Sequence, residues 1–368
     1  MKKNLKSVLK QIGLEAAKHN LKVWAVGGFA RERILGKDTY DIDICVEGDS
    51  TPLLNFCQKV YGADITKFKD FGTARVHLSN GLKLDFVRCR KEVYTHPAAL
   101  PKVSASNIKD DLLRRDFTCN ALALSLLPQE FFKEYDFFAC RQAVEQGYIK
   151  ILHANSFIDD PTRLFRAVRF AARFNWKIEP ETLKLFKSAV GQNAPALLSQ
   201  KRISNEFIKI LKEAAPYNAL KLAKHCGLTD FIFKNLKFNR KVNLLKDYKE
   251  RLAYLALLQG KNVENFISSL QFDKQDSCLA LELLKFYGAK AASLKPLPAQ
   301  SIKILKLFNP SLKPWQLKPL LLKAADVAAF GFKGPEIGLA LKALAKAQYQ
   351  GKVKTRKSAL SFVKIFVK

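Results

Sequence analysis

Acidic side chains are scarce in this 368-residue chain. Asp and Glu number 33 against 63 Lys and Arg, a formal net charge of +30 with a pI near 9.8. An excess of that size argues for a polyanionic partner, most often nucleic acid. Long hydrophobic runs are missing as well. No apolar stretch approaches the ~20 residues of a membrane-spanning helix, and the start carries no signal-peptide pattern, so no membrane association is expected. The seven cysteines contain no C-x-x-C pair, their number is odd, and most neighbour apolar residues. They read as reduced core thiols of a cytoplasmic protein rather than as a disulfide framework. The five histidines do not cluster and no H-E-x-x-H occurs, which argues against a zinc site. What is present, 48% hydrophobic residues, suffices for a large core or two to three modules.

Residues 3–19 carry an amphipathic helical pattern (Leu5, Val8, Leu9, Ile12, Leu14). A strand at Val23–Val26, a Gly27-Gly28 turn and a helix-like Phe29–Leu35 follow. Asp41–Glu47 reads as a strand, Thr51–Val60 as a helix, and Ala63–Lys67, Thr73–Leu78 and Leu82–Val87 as strands, the last two joined by a turn at Asn80-Gly81. This alternation predicts a small α/β domain up to about residue 90. Residues 91–109, with Pro97 and Pro101, read as a long loop, and from Asp110 onward the pattern is helical throughout. Lys352, Lys354, Arg356 and Lys357 form a basic run that reads as a solvated helix face.

Three stretches carry chemistry. In the first, the glycine turn gives close backbone approach and leads within fifteen residues to Asp41-Ile42-Asp43. At period two, both carboxylates fall on one face of a strand and the isoleucines on the other. Two carboxylates so close repel unless a hard divalent cation lies between them. Asp85, on a later strand, is the candidate third carboxylate. The second stretch is Asp110–Ala123, where Arg114 and Arg115 offer planar forks for phosphate. There Asp116 is a candidate to neutralise one of them and Asn120 to bond a sugar or a metal-bound water, with a structural ion-pair cluster the equal alternative. In the third, Asp159-Asp160-Pro161-Thr162-Arg163, Pro161 marks a helix start and one aspartate is a natural N-cap. Asp160, Arg163, Arg166, Arg169 and Arg173 then recur at three or four along one helix face. Four arginines cannot pair internally with a single acid, so the stripe is expected to meet nucleotide phosphates or RNA.

Together, Gly27-Gly28-x-x-Arg31, Asp41-x-Asp43, Arg114-Arg115-Asp116-Phe117-Thr118-x-Asn120-Ala121 and Asp160-x-x-Arg163 resemble the class II tRNA nucleotidyltransferases (CCA-adding enzymes) and the related bacterial poly(A) polymerases. The resemblance implies an α+β fold: a small polymerase-β-like head with a mixed sheet, then all-α neck, body and tail. Its boundaries would be 1–125 for the catalytic head, 126–215 for a neck with the base-reading motif, and 216–368 for a tRNA-binding body and tail. Asp41 and Asp43 would bind two Mg²⁺ ions. Gly27, Gly28, Arg31 and Arg115 would hold the nucleotide, with Asn120 beside them. Asp160 and Arg163 would read the incoming base, and Arg166 and Arg169 would steady the triphosphate or the tRNA end. The implied reaction adds C and A to the tRNA 3′ end from CTP and ATP, with no nucleic-acid template and no obligate protein partner. A carboxylate and a guanidinium match the edges of cytosine and adenine. Uracil and guanine would set acceptor against acceptor and leave groups unpaired.

This sequence departs from the family pattern at Glu32 and Asp159, where the family usually has Asp and Glu respectively, and at Asp136-Phe137-Phe138-Ala139-Cys140 in place of Asp-Pro-Phe-Gly-Gly. The segment from Tyr94 to Ser106 is full length, whereas family members that add only C typically lack a loop there. Full CCA addition, or addition of the terminal A alone, therefore fits better. The alternatives are a poly(A) polymerase and, from another class, a non-catalytic RNA-binding protein.

Overall fold

The computed structural model describes residues 2–68, 72–79, 81–290, 292–293 and 296–365. The chain forms two compact units, Met1–Leu198 with His225–Leu228, and Ser199–Lys224 with Thr229–Lys368. The boundary expected at 125/126 falls inside the first unit and the one at 215/216 inside the second.

The first unit is built on one seven-stranded sheet. Helix α1 (Lys2–Lys18) buries Val8, Leu9, Ile12 and Ala16, the apolar positions of its 3.6-residue repeat. Gly13 on this helix touches the backbone of the first unit so closely that a Cβ would sit 1.7 Å from the Leu126 carbonyl oxygen. There follow β1 (Lys22–Val26), α2 (Gly28–Ile34), β2 (Asp41–Glu47) and α3 (Thr51–Tyr61), which stops at left-handed Gly62. Next come β3 (Asp64–Phe68), β4 (Thr73–His77) and β5 (Lys83–Arg88). Of the Asn80-Gly81 turn, Asn80 lies outside the described residues; Gly81 has φ +83° and its N–H donates to the Leu78 carbonyl at 3.0 Å.

Two expectations are corrected after β5. Residues 91–109 are not a plain loop. An antiparallel ribbon, β6 (Arg90–Val93) and β7 (Lys102–Ala105), is followed by α4 (Ile108–Leu113). Most ribbon side chains face solvent, so no apolar alternation marks them in the sequence. Nor is the chain purely helical from Asp110. The short strands β8 (Ala123–Ser125) and β9 (Glu134–Tyr135) complete the sheet, whose order is β3-β4-β5-β2-β1-β8-β9. β8 is buried at all three positions, and an apolar run that short does not distinguish strand from helix. β2 and β5 pair in parallel, while the other neighbours are antiparallel.

Beyond the sheet lie α5 (Cys140–Gln146), β10 (Tyr148–Ile149), α6 (Ser156–Asp159), α7 (Thr162–Phe174) and β11 (Lys177–Ile178), with β10 and β11 paired in parallel. Ala139, where the family usually has glycine, adopts left-handed φ +54°. Asp136 supports that turn by accepting the Cys140 and Arg141 backbone N–H groups at 2.7 and 2.9 Å.

The second unit is helical, from Gln200–Leu211 to Arg356–Ile365. Its C-terminal core gathers Val327, Leu344, Ala359 and Val363. In the basic run, Lys354 lies 4.7 Å over the Trp315 ring and Arg356 bonds Asp326 at 2.7 Å, so two of its four cations have partners within the unit. Among the described residues no helix is long and apolar enough to cross a membrane. Six cysteines are buried as free thiols and Cys278 is exposed.

Candidate active site

The site begins where β1 and β2 lie side by side, with Val26 opposite Asp43. Ile42 and Ile44 are buried completely, and Asp41 and Asp43 point the other way, open to solvent. Gly27 has φ +65°, and a Cβ there would meet Arg115 Nη1 at 2.8 Å and Asp43 Oδ2 at 3.2 Å. The glycine thus leaves room for a guanidinium and a carboxylate against the turn. Asp43 keeps one edge open while the protein packs densely around the rest. That partial burial raises its pKa above the ordinary carboxylate value. Asp85 and Asp41 nearby push the same way, and Arg115 opposes them.

Asp85 stands opposite Asp43 in the parallel β2–β5 pair. Both its oxygens are taken by Arg75, its register partner on β4, at 2.8 Å each. Among the described residues no group of three His, Cys, Asp or Glu is arranged to hold a metal. The donors open to a cation are therefore Asp41 and Asp43, hard oxygens of the kind Mg²⁺ prefers. The raised Asp43 shows a carboxylate whose charge a cation would relieve.

The second stretch folds differently from expectation. Asp116 does not hold Arg114 or Arg115. Its Oδ2 accepts from Arg166 of α7 at 2.8 Å (Nε) and 2.5 Å (Nη2), and its Oδ1 from Asn120 at 2.8 Å. The acid that holds the paired arginines is Asp111 on α4, three and four residues before them. Burial alone would raise the Asp111 carboxyl, but Arg115 and Arg114 overcome it and hold the group below its usual range. Asp116 is likewise lowered: burial opposes, and Arg166 and Asn120 prevail. A carboxyl lowered in this way adds stability that is complete above its unfolded value, about 3.9. That stability is lost as pH falls through the lower folded value. Asp116→Asn is therefore expected to cost roughly 3 kcal/mol at pH 7 and to flatten the decline of melting temperature below pH 4. A decline as steep as in the unaltered protein would show that Asp116 does not carry it.

Arg31 is buried rather than open. It donates to Asn120 Oδ1 and to Glu32 Oε1, and its guanidinium lies 4.6 Å from the Phe174 ring centre. Gly28, next to the turn, opens α2. On α7, Arg163 is also buried. Nη1 donates to Ser156 Oγ at 2.6 Å and Nη2 to the Arg114 carbonyl at 2.8 Å. Asp160 lies just before the Pro161 that precedes α7, its Oδ1 accepting Thr162 N–H at 3.1 Å and Thr162 hydroxyl at 2.7 Å. Arg166 and Arg169 both pack on the Phe170 ring, at 5.4 and 4.6 Å. The expectation that the stripe lacks internal partners is thus corrected: Asp116, fifty residues earlier, pairs with Arg166, and the Arg114 carbonyl and Ser156 engage Arg163. The sequence reading missed Asp111, Arg75 and Ser156. Only Asp111 had a local signal, its three- and four-residue spacing to Arg114 and Arg115.

Residues 23–150 match the poly A polymerase head domain, and residues 175–239 match the probable RNA and SrmB- binding site of polymerase A. The head-domain match lies wholly within the first unit. An A-adding tRNA nucleotidyltransferase of Geobacter sulfurreducens is 36% identical over 71% of this chain and 30% of its own length. One of Halalkalibacterium halodurans is 39% identical over 58% of this chain and 50% of its own. A solved tRNA nucleotidyltransferase complexed with a primer tRNA and an incoming ATP analog is 28% identical, with a TM-score of 0.63 over 80% of this chain and 94% of that one. The chain belongs to the family of tRNA nucleotidyltransferases and bacterial poly(A) polymerases, and its α+β architecture is that of the family. It spans about a third to a half of the length of these two curated relatives.

Proposed function

We propose that this protein adds nucleotides to the 3′ end of tRNA without a template, taking CTP and ATP and releasing pyrophosphate. The observation that carries the reading is the convergence of Gly27, Asp43 and Arg115 at the end of β1, where its glycine turn lies against β2. The arginine helix α7 is fastened to the same region through Asp116. Asp41 and Asp43 would hold Mg²⁺, which when bound supplies charge neutralisation and an activated 3′-hydroxyl. Arg115 faces the turn where a triphosphate would lie, and its fork suits phosphate oxygens. Asn120, braced by Asp116 and Arg31, lines the same region, and Gly27 and Gly28 let the triphosphate approach the backbone. Asp160 and Arg163, at the head of α7, would select the base, with Arg166 and Arg169 steadying the phosphates or the RNA end. The +30 charge suits a tRNA partner, and no protein partner is invoked.

The presence of the 90–105 segment favours synthesis of all of C-C-A, or addition of the terminal A alone, over addition of C only. Addition of A alone is the second reading, favoured by the two A-adding relatives. The test is incorporation from ATP and CTP, with Mg²⁺, on tRNA ending before the C-C-A, after the first C and after the second C. Extension of all three supports full synthesis. Extension of only the last, by ATP alone, supports the second reading. Long A tails on unrelated RNA would overturn both in favour of a poly(A) polymerase, and no incorporation at all would leave an RNA-binding protein.

A further inference from the structure

We propose that Asp111 is a positioning residue of the site, holding Arg115 in the orientation that faces Gly27 and Asp43. The inference rests on the reading of Arg115 as a triphosphate contact. Asp111 is fully buried, and five donors converge on it. Its Oδ2 accepts Arg115 Nη2 at 3.1 Å and the Cys45 thiol at 3.3 Å. Its Oδ1 accepts Arg114 Nε at 3.0 Å, Arg114 Nη2 at 2.6 Å and the Arg90 backbone N–H at 3.4 Å. A carboxylate held on both oxygens, from β2, from the start of β6 and from the turn after α4, does not rotate.

The guanidinium is a rigid plane, so fixing one end fixes the other. With Nη2 against Asp111, Nη1 lies against Gly27 and 3.4 Å from the Asn120 carbonyl. Arg115 Nε is buried and has no hydrogen-bond partner. The orientation thus depends on the two Nη groups, and Asp111 is the one carboxylate that bonds either of them among the described residues. The nearest competing acid is Asp43. Because Asp111 already balances the Arg115 charge, Arg115 forms no direct ion pair with Asp43, which stays open to a cation. A guanidinium released from Asp111 would turn toward Asp43 and quench the carboxylate the site depends on.

The experiment compares ATP and AMP binding to the full chain, with Asp111→Asn, Arg115→Ala and the double variant. Expected in Asp111→Asn is a loss of ATP affinity of roughly 10- to 100-fold, the scale of a lost bond between charged groups, with AMP affinity unchanged. The double variant should bind ATP no worse than Arg115→Ala alone. A residue that only braced the fold would lower ATP and AMP affinity together, and that result would overturn the proposal. So would an Asp111→Asn protein that binds ATP normally while Arg115→Ala does not. If Arg115→Ala itself binds ATP normally, the reading of Arg115 fails instead. Should Asp111→Asn not fold, ¹⁵N NMR of the unaltered protein tests the same claim. The Arg115 side-chain signal, identified by its loss in Arg115→Ala, should show hindered guanidinium rotation before nucleotide is added, and free rotation would overturn the proposal.

Discussion

Asp43→Asn is expected to lower nucleotide incorporation by about 10³-fold or more, the equivalent of several kcal/mol of lost transition-state stabilisation. The protein should remain folded and bind tRNA as before. Its melting temperature at neutral pH should stay level or rise. The sign follows from the raised pKa of this carboxyl. A carboxyl raised in the folded state is protonated more readily there than in the unfolded chain, so its ionised form opposes folding at neutral pH. An isosteric amide removes that opposition along with the cation ligand. Lower activity with equal or greater stability marks a functional carboxylate, whereas a structural one loses both. Incorporation assays and thermal melts on the same sample check it. Full activity in Asp43→Asn would sink the proposed metal site.

Arg163→Ala is expected to weaken the preference for ATP and CTP over GTP and UTP by about 10²-fold or more, since a site that hydrogen-bonds a base edge discriminates by leaving wrong partners unpaired. It should also cost roughly 2–3 kcal/mol of stability, because the Arg114 carbonyl and the Ser156 hydroxyl lose their buried donor. The two effects separate on measurement. If stability falls while the ratio of incorporation rates among the four nucleotides stays the same, Arg163 is a brace between α7 and the second stretch and does not read the base. The geometry makes this a sharp comparison, because the guanidinium that would face a base is bonded to protein on both Nη groups. Reading a base requires that one of those bonds be exchanged.

Local pattern made much of the head legible. The period-two alternation of Asp41–Glu47 places Asp43 on the outer face, and the strands and helices from α1 to β5 lie within a residue or two of where apolar spacing and turn residues put them. What the sequence hid is long-range. Asp116 serves Arg166 rather than its neighbours, and that pairing depends on how α7 packs against the second stretch. Arg75 reaches Asp85 only because β4 and β5 pair in one register. The ribbon β6–β7 escaped because its outward-facing residues carry no burial pattern, and β8 because three buried residues are too few to show a period. Asp111 was the exception: a helical spacing rule applied to it would have found the acid that holds Arg115.

The place of β1 in the sheet bears on how the chain is made. β1 lies between β2 and β8, so one side of it is paired by residues 41–47 and the other only by residues 123–125. During synthesis the strand that carries the glycine turn therefore keeps a bare edge while about a hundred further residues are added. Unpaired edges of apolar strands are templates for association with other chains. The carboxylates arrive early, but the surface beneath them closes late. Conditions that slow translation between β5 and β8 would prolong the interval in which a nascent head is prone to aggregate.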